Sequence, residues 1–315
     1  MHVRTSLIAL TVACVVAGAS AAWAGTESAS QAFTEGQALL AKGEFDGALK
    51  ALKAAAVADP ENKEYDGEFK LLRRALNMRE QLKAEEDADV WQQMSRALYT
   101  YYRDHNVNGE AVAVAGKLHE KVNTGESAAL LADAQLALDQ NDAAVKVLDG
   151  VAADQRTPRT DILRGVALAR VGKLPEAKAV AAKVELDKDA EARVSFDAAR
   201  LEALVGNQQN ALNALQRAFE ATPANWLDGL KAEAKASKDL QSVAGGEDFA
   251  KVLKTESKVK SGCGGCPMAG KDGKCTAQQK EGKGKAGGCE HEKADKAKKK
   301  DAGCGHDKAG KPEKE

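Results

Sequence analysis

Apolar and small side chains return every three or four positions over residues 26–260, which puts them on one face of successive helices and predicts helix throughout that stretch. Residues 63–86 are one such helix, strongly charged, with Leu71, Leu72, Leu76 and Leu82 on or near a single face. It is longer than a linker, so an additional helix is expected between neighbouring units. Residues 111–122 predict another helix, reached through a turn at 105–109 that is long for a joint between two helices.

Two stretches carry the same spacing of small and large apolar residues. Gly36, Leu39, Gly43, Phe45, Ala48, Leu52 and Ala55 match Gly165, Leu168, Gly172, Leu174, Ala177, Ala181 and Val184, every pair at the same offset along the chain. A small residue lets two helices touch, a large one fills the gap, and a glycine ends the first helix. The first block closes on Pro60. This pattern resembles the tetratricopeptide repeat (TPR), a 34-residue helix–turn–helix unit. The resemblance implies an all-α, right-handed helical solenoid of five repeats, at about 29–62, 88–122, 125–157, 158–190 and 191–224. It is clearest in the first and fourth. In the third, Gln135 and Asn141 stand where large apolar residues are expected, as do Glu202 and Gln208 in the fifth. The stretch from Asn225-Trp226-Leu227 through Asp239-Leu240 to Phe249 and Val252-Leu253 is similar to the closing segment of such proteins, which covers the apolar end of the solenoid.

The TPR register also assigns residues to the concave face. In the second repeat these are Asp89, Gln92, Arg96, Tyr99 and Thr100. The fourth and fifth repeats place Arg159, Arg170, Arg193 and Arg200 around Ile162 and Phe196. Guanidinium groups suit bidentate carboxylate binding, so these six residues form a candidate site for a protein or peptide partner of acidic character. Equally, arginines on a helix face can simply be solvated. The Lys/Asn clamp of chaperone-binding TPR proteins is absent.

Composition changes the picture at both ends. Residues 1–24 have Arg4 in a short polar start, an apolar run over 7–18, and Ala22-Trp23-Ala24 as a small-x-small cleavage pattern. They read as a signal peptide of an exported, periplasmic or extracellular protein, with no membrane span in the mature chain. The tail, 261–315, is rich in Gly, Lys and Ala, with 13 Lys against 9 Asp or Glu, and nearly lacks large apolar side chains. Such a segment cannot bury a core and is expected to be disordered. The rest of the chain then carries a net charge of −5, and neither part is basic enough to suggest nucleic acid. Aromatic residues are only 4%, which suits small-residue helix packing and argues against a β-rich fold.

All five cysteines of the expected mature chain lie in this tail: Cys263, Cys266, Cys275, Cys289 and Cys304. His291 and His306 follow the last two closely, each in a C-x-H pair. Cys263-Gly-Gly-Cys266 has the spacing that lets both thiolates reach one ion, and the two C-x-H pairs add donors suited to Zn²⁺ or Cu(I). Disulfide pairing after export is the competing reading, and an odd cysteine would then remain. No H-E-x-x-H, G-x-S-x-G or Walker-type motif occurs. The sequence therefore points to a non-enzymatic interaction or assembly protein that requires no cofactor, with metal handling by the tail as the alternative. His105 and His119 are expected to be packed or surface residues rather than ligands.

Overall fold

Five of the helix–helix turns have the same geometry, and they set the rhythm of the chain. In each, one residue adopts the left-handed conformation: Gly43 (φ 77°), Asn106 (57°), Asp139 (55°), Gly172 (84°) and Gly206 (94°). The next residue donates its N–H to a carbonyl five positions back, as in Glu44 to Leu39, Val107 to Tyr102, Gln140 to Gln135, Lys173 to Leu168 and Asn207 to Glu202, all at 2.8–2.9 Å. This bond satisfies a carbonyl that the ending helix leaves open, and the following helix starts directly after it. The turns at Asn106, Asp139, Gly172 and Gly206 are evenly spaced along the chain, at the period of the expected repeat. The joint at 105–109 is thus no longer than its siblings. Asn106 supplies there what glycine supplies elsewhere, because its short polar side chain tolerates the left-handed region.

The computed structural model describes residues 27–187 and 189–259. The expected signal peptide and the cysteine-rich tail lie outside these residues. The described part is all α, with fourteen α-helices and no strand among the described residues. Helix α1 (27–41) and α2 (Phe45–Ala58) form the first pair, and α3 (Lys63–Leu82) is the additional charged helix. The other pairs are α4 (Ala88–Asp104) with α5 (Asn108–Val122), α6 (Gly125–Ala137) with α7 (Asn141–Asp149), α8 (Pro158–Arg170) with α9 (Leu174–Ala181), and α10 (Ala192–Val205) with α11 (Gln208–Ala221). From α2 to α12 each helix packs on its sequence neighbours, and first helices also touch each other, α6 on α8 and α8 on α10. Helices α12 (Ala224–Ala236), α13 (Gln241–Ala244) and α14 (Glu247–Val252) follow, and Leu227, Leu240, Val243 and Phe249 bury against the last pair. No helix of the described residues is long and apolar enough to cross a membrane.

The starts of α6 and α8 repeat each other in chemistry as well as position. Thr124 and Thr157 cap them, and Ser127 and Thr160, one turn on, return a hydrogen bond to the capping residue's N–H at 3.0 and 2.9 Å. These reciprocal bonds satisfy backbone donors at the two helix starts. They also fix where each helix begins, and hence which residues face the neighbouring first helix.

The shared spacing of the two matched blocks has a packing cause, though not the same one in each. A Cβ on Gly36 would stand 2.8 Å from the Leu52 side chain of its own second helix. A Cβ on Gly165 would stand 2.8 Å from Leu201 of the following first helix and 3.2 Å from Val180. Ala48, Ala55 and Ala177 are fully buried, whereas Leu174 is largely exposed. Of the polar residues that break the apolar rule, Gln135 is half-buried with its Oε1 sealed from solvent, and the other three make polar contacts. Asn141 accepts from Arg170, Glu202 accepts from Asn207, and Gln208 donates to the Ser242 carbonyl.

Leucine at Gly165 or at Ala177 has no room, and each substitution is expected to destabilise the described domain by about 1–3 kcal/mol. Thermal or urea unfolding followed by circular dichroism checks this. Unchanged midpoints would show that these are not close-contact positions.

Candidate functional site

The first helices bring their polar residues together instead of leaving them in solvent. Asp133 comes from the middle of α6, where the Thr124 cap sets the register, and its side chain is only 4% exposed. Tyr99 Oη and Arg103 Nε of α4 both donate to its Oδ2, at 2.7 and 3.3 Å. Arg193 Nη2 of α10 reaches its Oδ1 at 3.4 Å. Arg159 of α8 and Arg200 of α10 stand 3.8 and 3.7 Å away. Arg103 is held in turn by Asn108, which accepts from its Nη1 at 2.7 Å.

Two further buried carboxylates complete the network. Asp197 of α10 accepts from Arg159 Nε at 3.1 Å and from Arg200 Nη1 at 2.9 Å. Asp239, in the short 3-10 turn after α12, takes a two-pronged contact from Arg170, Nε at 2.8 Å and Nη2 at 3.0 Å. Arg200 Nε adds a third bond to Asp239 at 2.8 Å. Arg170 Nη1 also donates to the Leu136 carbonyl near the end of α6, at 2.6 Å. On the open side, Glu233 of α12 grips Arg193 Nη1 with both oxygens, at 2.9 and 2.7 Å, and Asp139 lies 3.5 Å from Arg170.

The electrostatics follow from burial against pairing. Burial alone would raise the pKa of Asp133, but Arg193, Arg103, Arg159 and Arg200 outweigh it and hold the carboxyl well below its ordinary range. Asp239 is lowered against its burial by Arg200 and Arg170. Burial would lower Arg159, Arg193 and Arg200, yet the neighbouring carboxylates raise all three. Tyr99 is pushed up by burial and by Asp133, and stays a neutral donor.

The sequence-assigned site is therefore partly redrawn. Arg159, Arg170, Arg193 and Arg200 do come together, but on carboxylates of the same chain. Arg200 is buried, whereas Arg170, Arg103, Arg159 and Arg193 remain 16%, 17%, 18% and 30% exposed. Ile162 and Phe196 are core residues, fully buried or almost so, and offer no surface to a partner. Close approach of α6, α8 and α10 seals the side chains between helices. Of the second-repeat positions, Tyr99 joins the network, and Arg96 pairs with Glu126.

The concave-face register, weighed for its arginines, missed Asp133, Asp197, Asp239, Arg103 and Glu233. A signal existed for Asp197, which lies one turn from Arg193 on one side and one turn from Arg200 on the other, on one helix face. None existed for Asp239, which lies 69 residues from its partner Arg170.

Among the described residues no group of three His, Cys, Asp or Glu is placed to hold a metal ion. The proposed ligands Cys263, Cys266, Cys275, Cys289, His291, Cys304 and His306 lie outside those residues. His105 and His119 make structural contacts. His105 bridges the Tyr101 carbonyl at 2.8 Å and Glu68 of α3 at 3.0 Å. Burial works to lower its pKa, but those two acceptors outweigh it and raise it. His119 meets Ser127 at 3.0 Å, and burial lowers its pKa.

Removing Asp133 leaves several guanidinium groups facing one another without their shared counter-charge. Asp133→Ala is expected to cost about 3–5 kcal/mol, against little for the same change at exposed Asp154. The depressed pKa of Asp133 adds stability above the unfolded value of about 3.9, and that stability is lost as pH falls through the lower folded value. Urea unfolding at pH 7 and pH 3 should therefore show the gap between wild type and variant closing in acid. A constant gap would rule out the charge as its source.

No family model matches this chain, and a search of curated proteins also finds no match.

Proposed function

We propose that this chain is an exported, non-enzymatic scaffold of TPR type, which docks an extended, acidic segment of a partner protein along the face made by its first helices. The supporting observation is that α4, α6, α8, α10 and α12 all contribute to one charge network, with Arg103, Arg159 and Arg193 partly open to solvent at its rim. A face assembled from five helices has the length to read a peptide rather than a small molecule. Partly desolvated guanidinium groups favour carboxylates as its ligands. Export rests on the signal-type pattern of residues 1–24.

Site-specific photo-crosslinking in the native host tests this. A benzophenone side chain at Gln92, on the α4 stripe that includes Tyr99 and Arg103, should give a discrete adduct with a partner protein. The same group at Lys146 or Lys178, on second helices α7 and α9, should not. Equal adducts from all three positions would remove the first-helix face as the docking surface.

A second reading rests on the tail, where five cysteines and two histidines fall within 261–315 and Cys263 and Cys266 have ligand spacing. On this reading the repeats are a mount for a Zn²⁺- or Cu(I)-binding segment. Titrating the reduced full chain with Zn²⁺ should show binding that weakens as pH falls, since thiolates must lose protons, and that drops in Cys263→Ser/Cys266→Ser. A native protein with neither free thiols nor metal would establish disulfides instead.

A further inference from the structure

The rim of the arginine network already holds an acidic side chain in the place where a partner's would sit. Arg193 is the most exposed guanidinium of the network, and both oxygens of Glu233 lie against its Nη1. Glu233 is itself 41% exposed, unlike Asp133, Asp197 and Asp239, which are sealed among the helices. Inside the network, Arg103, Arg159, Arg170, Arg193 and Arg200 face those three buried carboxylates. At the rim, Glu233 adds a carboxylate to Arg193, Asp139 stands between Arg170 and Lys238, and Asp104 of α4 adds a further negative charge near Arg193 and Arg103.

Glu233 is also lightly held. It belongs to α12, which packs on α11 and is anchored by Leu227, Leu230 and Ala234 rather than by its carboxylate. A change of side-chain rotamer alone would open Arg193 Nη1, with no helix displaced, while Asp133 and Asp197 keep the rest of the guanidinium in place. With Glu233 41% and Arg193 30% exposed, water can replace the lost contact on the open side, so the change costs less than breaking a buried pair. The buried pairs, in contrast, cannot be exchanged without stranding charge in the interior.

We propose that Glu233 acts as an internal stand-in for the acidic ligand, occupying Arg193 in the free protein and giving way to a carboxylate of the partner segment. This rests on the docking reading above and adds a built-in competitor to it. Because linked occupancy reduces apparent affinity by the fraction of sites left open, the competitor lowers affinity for weak or isolated acidic groups. It leaves a segment that makes several contacts along the face able to bind. Glu233 thus sets a threshold on ligand charge, and the ligand class is a run of carboxylates rather than a single one.

The test uses the full chain and a fluorescein-labelled hexaglutamate peptide, with fluorescence anisotropy as the readout and hexaglutamine as control. Glu233→Gln is expected to tighten hexaglutamate binding about two- to fivefold, in line with the loss of one exposed ion pair as competitor. Glu247→Gln removes the same charge from exposed α14 and should leave binding unchanged. Gln at both Glu233 and Arg193 should abolish the gain. If that double variant does not fold, raising salt supplies the second readout: the gap between Glu233→Gln and wild type should shrink as screening grows. Equal effects of Glu233→Gln and Glu247→Gln would reduce the effect to net charge and overturn the proposal. So would binding by neither wild type nor Glu233→Gln, or weaker binding by Glu233→Gln. Hexaglutamate binding that is unaffected by Glu233→Gln, together with a crosslink at Gln92, would defeat the stand-in while the docking surface survives.

Discussion

A carboxylate such as Asp133 cannot leave water alone, because the cost of its desolvation far exceeds what any single helix contact returns. It is buried here because Tyr99, Arg103, Arg159, Arg193 and Arg200 converge on it from α4, α8 and α10. That convergence demands that the first helices lie at one spacing and in one register. A slip along any of them would strand a charge. Close apolar contact makes the same demand between α8 and α10, where Leu201 fills the space that a Cβ on Gly165 would need. The ion network and this contact select one alignment together, while hydrophobic burial supplies most of the driving force.

The same network ties the end of the repeat array to its middle. Asp239 lies beyond α12, yet it binds Arg170 of α8 and Arg200 of α10. Arg170 also reaches the carbonyl of Leu136 near the end of α6. The closing segment is therefore held by charge on one side and by Leu240, Val243 and Phe249 on the other. A cap fixed in both ways protects the apolar end of the last pair. It also brings α12 alongside the rim, which is how Glu233 comes to meet Arg193. The network thus combines three sealed carboxylates with one, Glu233, that is open to solvent.

The regular turns explain why a degenerate sequence still builds a regular array. Gly43, Gly172 and Gly206 use the conformational freedom of glycine, while Asn106 and Asp139 reach the same backbone state with a polar side chain. The closing hydrogen bond is made entirely by the backbone, so it places no demand on the identity of its partners. The second and third pairs therefore keep the rhythm of the array after losing the glycine that announces it. Identity at the turn is free to drift as long as the left-handed state remains accessible.

Much of the fold was legible because it rests on local and periodic rules. The all-α class, the additional helix at α3 and the matched small residues at Gly36 and Gly165 follow from spacing, since a helix face repeats every few residues, whereas the burial of the closing segment was an expectation carried by the family resemblance. Of the site, the sequence placed Arg159, Arg170, Arg193 and Arg200 on neighbouring faces. It could not show that Ile162 and Phe196 are sealed in the core, or that Asp133, Asp197, Asp239 and Glu233 take up the arginines. Those outcomes depend on how closely the first helices approach and on pairings such as Arg170 with Asp239, 69 residues apart. Period and composition determine which face a side chain occupies. Which charge it meets there is decided only when distant helices come within about 3 Å of one another's polar groups, a distance at which burial makes every unmatched charge costly.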